Sequence, residues 1–287
     1  MAKAKVFFSK SITPETVLKL YEALGVSLPG KVAVKVHSGE VGNQNFIRPD
    51  FWKPMVDQVH GTIVECNTAY AGARNTSQAH WDTMKLHGWT DIAPVDIMDE
   101  DGEMELPITG GCHLKVNYVG KNLENYDSML VLSHFKGHPM GGFGGALKNI
   151  SIGIASSHGK EHIHGAGDTQ HVWDGDHDAF LESMAESAQS VVKYFEGKMA
   201  FVNVMANMSV DCDCCAVAAD PKIGDIGVLA SLDPLALDQA CLDLVYASKD
   251  PGKGDLVERI EGRNGAHTLD AAAGLDIGDR EYELVEL

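Results

Sequence analysis

The segment Asp211-Cys212-Asp213-Cys214-Cys215 gathers three of the chain's six cysteines within four residues. Thiolates are soft ligands that suit zinc, copper(I) or iron–sulfur clusters. A Cys-x-Cys spacing places both sulfurs on one side of an extended backbone. Cys212 and Cys214 are therefore candidate ligands for a metal ion: iron, zinc or an iron–sulfur cluster. Two thiolates half fill a tetrahedral site, so histidines from neighbouring segments, His134 and His138 first, are candidates to complete it. The flanking Asp211 and Asp213 would discourage free thiolates but would favour a bound cation. The competing reading is a small polar turn with inert thiols. The spacing matches neither paired Cys-x-x-Cys motifs nor a ferredoxin run. Cys66 ends a predicted strand and Cys241 falls in a predicted helix, so burial as small apolar groups accounts for them.

A second chemical focus is His134–Asn149, HFKGHPMGGFGGALKN. Glycines allow a backbone to approach a ligand, and a helix N-terminus attracts anions. Gly144 and Gly145 are the expected anion-binding amides, with Lys136 and Lys148 adding positive charge. Tight packing of a glycine-rich helix on a sheet is the alternative. No Walker sequence is present, and the Gly142-Phe143-Gly144 run has Leu147 where a dinucleotide fingerprint needs its third glycine. Two further polar segments, HSGEVGNQN with Glu40 and CNTAYAGARN with Asn67, are candidate ligand-binding loops. Seven of the 13 histidines lie between His134 and His177. Residues 156–175, with His158, His162 and His164, read as a long polar loop or a metal clip. Neither a Gly-x-Ser-x-Gly elbow nor a His-Glu-x-x-His pair occurs.

These residues need elements to hold them. KVFF, KVAVKV (31–36), TIVEC (62–66), SMLVLS (128–133), MAFVNVMA (199–206), IGVLAS (226–231) and REYELVEL read as strands. Helices are predicted from Pro14 with Thr13 as cap, over 50–59 with Asp50 as cap, over 77–88, after the glycine-rich segment, over 178–197, and from Asp233-Pro234 onward. Strands alternating with helices of this length argue for an α/β fold with a mostly parallel central sheet flanked by helices. Residues 94–120 depart from this pattern and read as a small β excursion. Without a repeat or low-complexity linker, residues 1–287 are expected to form a single α/β domain. Ligands of parallel sheets bind beyond the carboxyl ends of the strands. Five polar loops follow predicted strands, the fifth being SLDP after 226–230, and all five are expected at one edge. Glu40, Asn67, His138 and Cys212 should then border one crevice.

The composition limits the partners. The 287 residues are 44% hydrophobic and carry a formal net charge of −18. An acidic chain argues against nucleic acid and anionic membranes, and leaves a small-molecule or anionic ligand as the expected partner. No apolar run reaches transmembrane length and the N-terminus lacks a secretory h-region, so a cytoplasmic protein with reduced thiols is expected.

Taken together, VKVHSGEVGNQNFIRPD, ECNTAYAGARNT, HFKGHPMGGFGGALKNISIG, SHGK, NMSVDCDC and DIGVLASLDPLALDQACLDLV resemble the successive motifs of the domain-of-unknown-function 362 family. They occur in the family's order from about Lys35 to Leu244, and GAHTLDAAAGLDIGDREYEL resembles its closing motif. The resemblance implies a cytosolic protein of a mainly anaerobic prokaryote, in a family often labelled iron–sulfur-centre proteins. That label reflects a ferredoxin-like insertion in longer members. Residues 160–200 contain no cysteine, so this chain is a short form without the insertion. Three functions stand at this level. The first is a metal- or cluster-dependent redox or small-molecule enzyme. The second is a non-catalytic metal-binding or metal-delivery protein. The third is a metal-free enzyme binding a carboxylate or phosphate at the glycine-rich loop.

Overall fold

The computed structural model describes residues 3–287. Its first half runs β1 (Ala4–Ser9), α1 (Pro14–Ala23), β2 (Val32–Lys35), α2 (Pro49–Val59), β3 (Thr62–Glu65), α3 (Ser77–Leu86), β4 (Val95–Ile97), β5 (Glu103–Pro107), β6 (Val116–Gly120) and β7 (Ser128–His134). The second half runs β8 (Lys136–His138), β9 (Gly142–Gly144), α4 (Ala146–Ile150), α5 (Ser157–His164), α6 (His177–Phe195), β10 (Met199–Met205), β11 (Gly227–Ser231), α7 (Pro234–Ala247), α8 (Lys253–Gly262), α9 (His267–Gly274) and β12 (Tyr282–Glu286).

Eight strands form one sheet in the order β12-β1-β11-β10-β7-β2-β3-β4. The central strands β2, β7, β10 and β11 are buried along their whole length because helices cover both faces. Val32 and Val34 belong to one core with α1, α2 and Trp89, whereas Ala33 belongs to the other with α4, α6 and α7. Local signals set the helix starts. Thr13 caps α1 ahead of Pro14, Thr76 caps α3, and the Asp233 carboxylate accepts from the Leu235 and Ala236 amides at the start of α7. The α2 helix departs from expectation: it begins at Pro49, and Arg48 rather than Asp50 occupies the cap position. Proline at the first helical position needs no amide partner, which accounts for the earlier start.

The sheet is mostly parallel, with a reversal that moves one predicted loop. Among the described residues β11 runs antiparallel to both β1 and β10, and the other pairings in the large sheet are parallel. The SLDP turn after β11 therefore opens on the opposite edge from the other four polar loops. The β excursion is also smaller than expected: β4 extends the main sheet through β3, and only β5 and β6 pair apart as a hairpin. Residues 157–164, expected as loop, form α5, because Ser156 caps the helix by accepting from the Gly159 amide at 2.9 Å. No helix among the described residues is long and apolar enough to cross a membrane.

Candidate active site

The chain leaves β2 for β3 on one side and leaves β7 for β10 on the other, so the reversal of strand order lies between β2 and β7. A cavity of about 340 Å³ opens there, at the carboxyl ends of these strands. Its wall takes Lys35 from β2, Glu65 from β3, Ser133 and His134 from β7, Lys136 from β8 and Lys148 from α4. His37, Cys66, Arg74, His138, Lys160 and Cys214 also line it.

The asparagine-rich loop after β2 holds the cysteine loop in place. Asn43 Nδ2 donates to the Cys215 carbonyl at 2.8 Å, Gln44 Nε2 to the Ala218 carbonyl at 2.7 Å and Asn45 Nδ2 to the Ala219 carbonyl at 3.0 Å. The Glu40 amide donates to the Asp213 carbonyl at 2.8 Å. From the other side, the Gly137 amide donates to the Ser209 carbonyl at 2.8 Å. A Cβ on Gly137 would fall 2.3 Å from the Val210 carbonyl oxygen, so only glycine permits this close approach. The result brings His138, Cys212 and Cys214 together, with one ligand atom from each within 4.8 Å of the others. Cys212 is buried, Cys214 half-buried. Two thiols and an imidazole are a donor set that fits a borderline or soft cation.

The histidine geometry also favours hydrogen bonding to sulfur. The Gly141 and Met140 amides donate to His138 Nδ1 at 2.8 and 3.2 Å. Nδ1 is thereby an acceptor, and in the neutral ring Nε2 carries the proton. Burial pushes His138 down to about 4, which keeps the ring neutral at pH 7. His37 repeats the arrangement: its Nδ1 accepts from the Gly39 amide at 3.2 Å, and its Nε2 lies 3.9 Å from Cys212 Sγ. Burial also holds His37 below the usual histidine range. Cation binding at His138 Nε2 would require its proton to move to Nδ1, displacing the two amides there.

Several sequence-predicted residues have other roles. His134 is engaged elsewhere: Nδ1 faces the Asp213 carboxylate at 2.9 Å and Nε2 the Ala206 carbonyl at 2.6 Å, and it does not join the group of His138, Cys212 and Cys214. Asp213 does not face the cysteines as an acidic neighbour. Burial opposes its charge, but His134 and Lys136, at 3.1 Å, override burial and hold it well below the usual carboxylate range. Asp211 turns to Arg259 at 3.2 Å. Glu40 is spent on the Ala73 amide at 2.8 Å and Arg74 at 3.3 Å, and Asn67 on Ser77 at 3.0 Å and His80, so both stiffen the wall from behind. Gly144 and Gly145 line the cavity, yet the α4 amides do not await an outside anion. Ala146 and Leu147 donate to the buried Asp238 carboxylate at 2.8 and 2.9 Å, and Asn203 joins them at 2.7 Å. Lys136 and Lys148 do face the cavity.

The electrostatic frame is one that composition concealed. Lys35, 1% exposed, meets Glu65 at 2.7 Å and Asn149 Oδ1 at 2.9 Å. Burial alone would raise Glu65, but Lys35 foremost, with His37 and Arg74 behind it, keeps it well below the carboxylate range. The charged wall residues comprise five cations, Lys35, Arg74, Lys136, Lys148 and Lys160, and one carboxylate, Glu65. Lone charges inside otherwise apolar strands, Lys35 in KVAVKV and Glu65 in TIVEC, were the sequence signal for this frame.

No curated protein matches this chain. Among solved structures, a Thermotoga maritima protein determined by a structural genomics consortium is similar over 91% of this chain, at 10% identity and a TM-score of 0.46. This chain spans 58% of that protein's length. The lactate racemase apoprotein of Thermoanaerobacterium thermosaccharolyticum is similar over 98% of this chain and 82% of its own, at 14% identity and a TM-score of 0.45. The family described as domain of unknown function (DUF362) matches residues 32–243, most of the chain, and the protein belongs to that family.

Proposed function

We propose that the protein is an enzyme acting on a small anionic molecule, which it binds in the β2/β7 cavity beside a metal ion held by His138, Cys212 and Cys214. The observation that supports it most is the charge of the wall. A chain of net charge −18 concentrates five cations against one carboxylate around a cavity of about 340 Å³. Such cations are costly to bury and mark a site for negative charge. Lys35 and Arg74 are offset by Glu65 and Glu40, and Lys136 by Asp213. Lys148 and Lys160 have no ion-pair partner among the described residues, and their donors are left for a ligand. A carboxylate or phosphate fits them.

His138 and Cys214 line the same cavity, so a cation there would touch the bound anion's surroundings. Three protein ligands are the number used by catalytic zinc sites, which leave a position for water or substrate. When bound, the ion would supply Lewis-acid polarisation, or electron transfer if it is iron. The chain's own residues bind and orient the anion and exclude water. A charged cavity beside the thiols supports an enzyme over a metal carrier, for which an exposed thiol pair would suffice. The His138 tautomer favours a second reading, a metal-free site in which Cys212 lies between two imidazole N–H groups.

Anaerobic purification, elemental analysis and an absorption spectrum separate the two. The metal reading expects about one ion per chain, lost in Cys212→Ser and Cys214→Ser but kept in Cys241→Ser. Reconstitution with zinc should release about two protons per ion, one from each thiol, so affinity rises with pH. Protein that carries no metal and takes up none would leave the metal-free reading.

A further inference from the structure

The buried lysine on α5 has entered so far only as one of the cavity's cations without an ion-pair partner. Lys160 is 6% exposed and lines the cavity. Its place is set by the helix start: Ser156 caps α5, and Gly159 packs so tightly on β6 that a Cβ would lie 1.9 Å from the Tyr118 carbonyl oxygen. Glycine at 159 therefore fixes how deep the next residue reaches. The Lys160 Nζ donates to one acceptor, the Ala155 carbonyl at 2.6 Å. No carboxylate lies within ion-pair distance of it among the described residues. Of the other two deeply buried amines, Lys35 is committed to Glu65, Asn149 and the Val36 carbonyl, and Lys136 is paired with Asp213. Among the described residues Lys160 alone of these three has no carboxylate partner, and two of its N–H positions are directed at nothing in the chain.

We infer that Lys160 is a nucleophile that forms an imine with an anionic carbonyl compound, a 2-oxo acid or an aldehyde acid, held in the cavity by Lys148. The inference rests on the reading that the cavity takes an anion. A buried amine beside other cations is the setting in which lysine becomes neutral and reactive near pH 7. Burial holds the Lys160 ammonium below the usual lysine range, and Arg74 adds to that, against the opposing pull of Cys66, Asp99 and Glu65. The neutral nitrogen adds its lone pair to the carbonyl carbon, and the C=O π pair moves to oxygen. A proton passes from nitrogen to that oxygen to give the carbinolamine. The nitrogen lone pair then expels hydroxide, which leaves as water with a second proton from nitrogen. The C=N bond replaces the C=O bond, one water departs, and no oxidant or reductant is needed.

Reductive trapping tests this on the intact chain. The protein is incubated near pH 7 with glyoxylate, or with neutral acetaldehyde in parallel, and sodium cyanoborohydride, then peptide-mapped by mass. Glyoxylate should give one reduced adduct per chain on Lys160, formed about tenfold or more faster than on exposed lysines. Oxalate should suppress it, and Lys160→Met and Lys160→Arg should abolish it while melting as wild type. If those variants fail to fold, the site map of the wild-type protein still decides. Lys160 left unlabelled by both carbonyls while exposed lysines react would overturn the proposal, and oxalate binding by calorimetry would then show whether the anion reading survives. Equal trapping by acetaldehyde and glyoxylate, without suppression by oxalate, would support the nucleophile and overturn the anion reading.

Discussion

The Lys35–Glu65 pair shows how much of this site rests on single residues. Both are buried, and each offsets a desolvation cost that neither could bear alone. Glu65→Gln leaves the Lys35 ammonium uncompensated and should destabilise by about 3–5 kcal/mol, whereas Lys35→Met with Glu65→Leu should recover most of that loss. Chemical denaturation of the three variants checks the ordering. A pH dependence follows from the same residue. Glu65 in the folded chain ionises well below the usual carboxylate range, so the native state binds fewer protons than the unfolded one between the two values. Its contribution is complete above about pH 4.3 and is lost as the pH falls below it. Glu65→Gln should flatten the acid limb of melting temperature against pH, and an unchanged limb would contradict the assignment. The cysteine pair was legible because no apolar pattern asks for Cys212 and Cys214 in that segment. The diversion of His134 to other partners was not legible. It depends on Asp213 and Ala206, 79 and 72 residues away, which occupy its two nitrogens.

At the level of elements, α7 does what an outside anion was expected to do. Asp238, mid-helix, projects its carboxylate onto the first amides of α4. Asp238→Ala should leave two buried N–H groups unpaired at about 1–3 kcal/mol each, and Asp238→Asn, which keeps one acceptor oxygen, should cost about half as much. Because α4 carries Lys148, the alanine variant should also weaken anion binding, measured by calorimetry alongside denaturation. A variant as stable as wild type would mean that α4 is held by packing alone. The aspartate's partner was beyond sequence reading, since a buried polar residue in a helix names no recipient. Loop direction was similarly hidden. Four polar loops were read correctly to one edge because their strands are parallel. The SLDP loop was misplaced because β11 has the same apolar composition either way up.

Across the whole molecule, an acidic surface surrounds a cationic interior site. The surface accounts for the net charge of −18, while the cavity inverts it locally. Oxalate or pyrophosphate should therefore raise the melting temperature beyond sodium chloride of equal ionic strength. At a concentration of about 100 times Kd the stabilisation should approach 2.7 kcal/mol. Lys148→Gln should lose most of this gain without lowering the baseline melting temperature, since Lys148 has no ion-pair partner among the described residues. Identical shifts in wild type and Lys148→Gln would place the anion elsewhere.

The sequence by itself determined the α/β class, the order of most strands and helices, the cysteine cluster and the motifs that carry family membership. Each is a local property, written in hydrophobic period, capping residues and spacing. Only the tertiary structure decided the reversed β11, the joining of His37 and His138 to Cys212, and the supply of Asp238 to α4. It alone gathered Lys35, Arg74, Lys136, Lys148 and Lys160 around one cavity. These are facts about groups far apart in the chain. What fixes them is strand order and the need of buried charges and amides for partners, and a one-dimensional pattern does not name a partner.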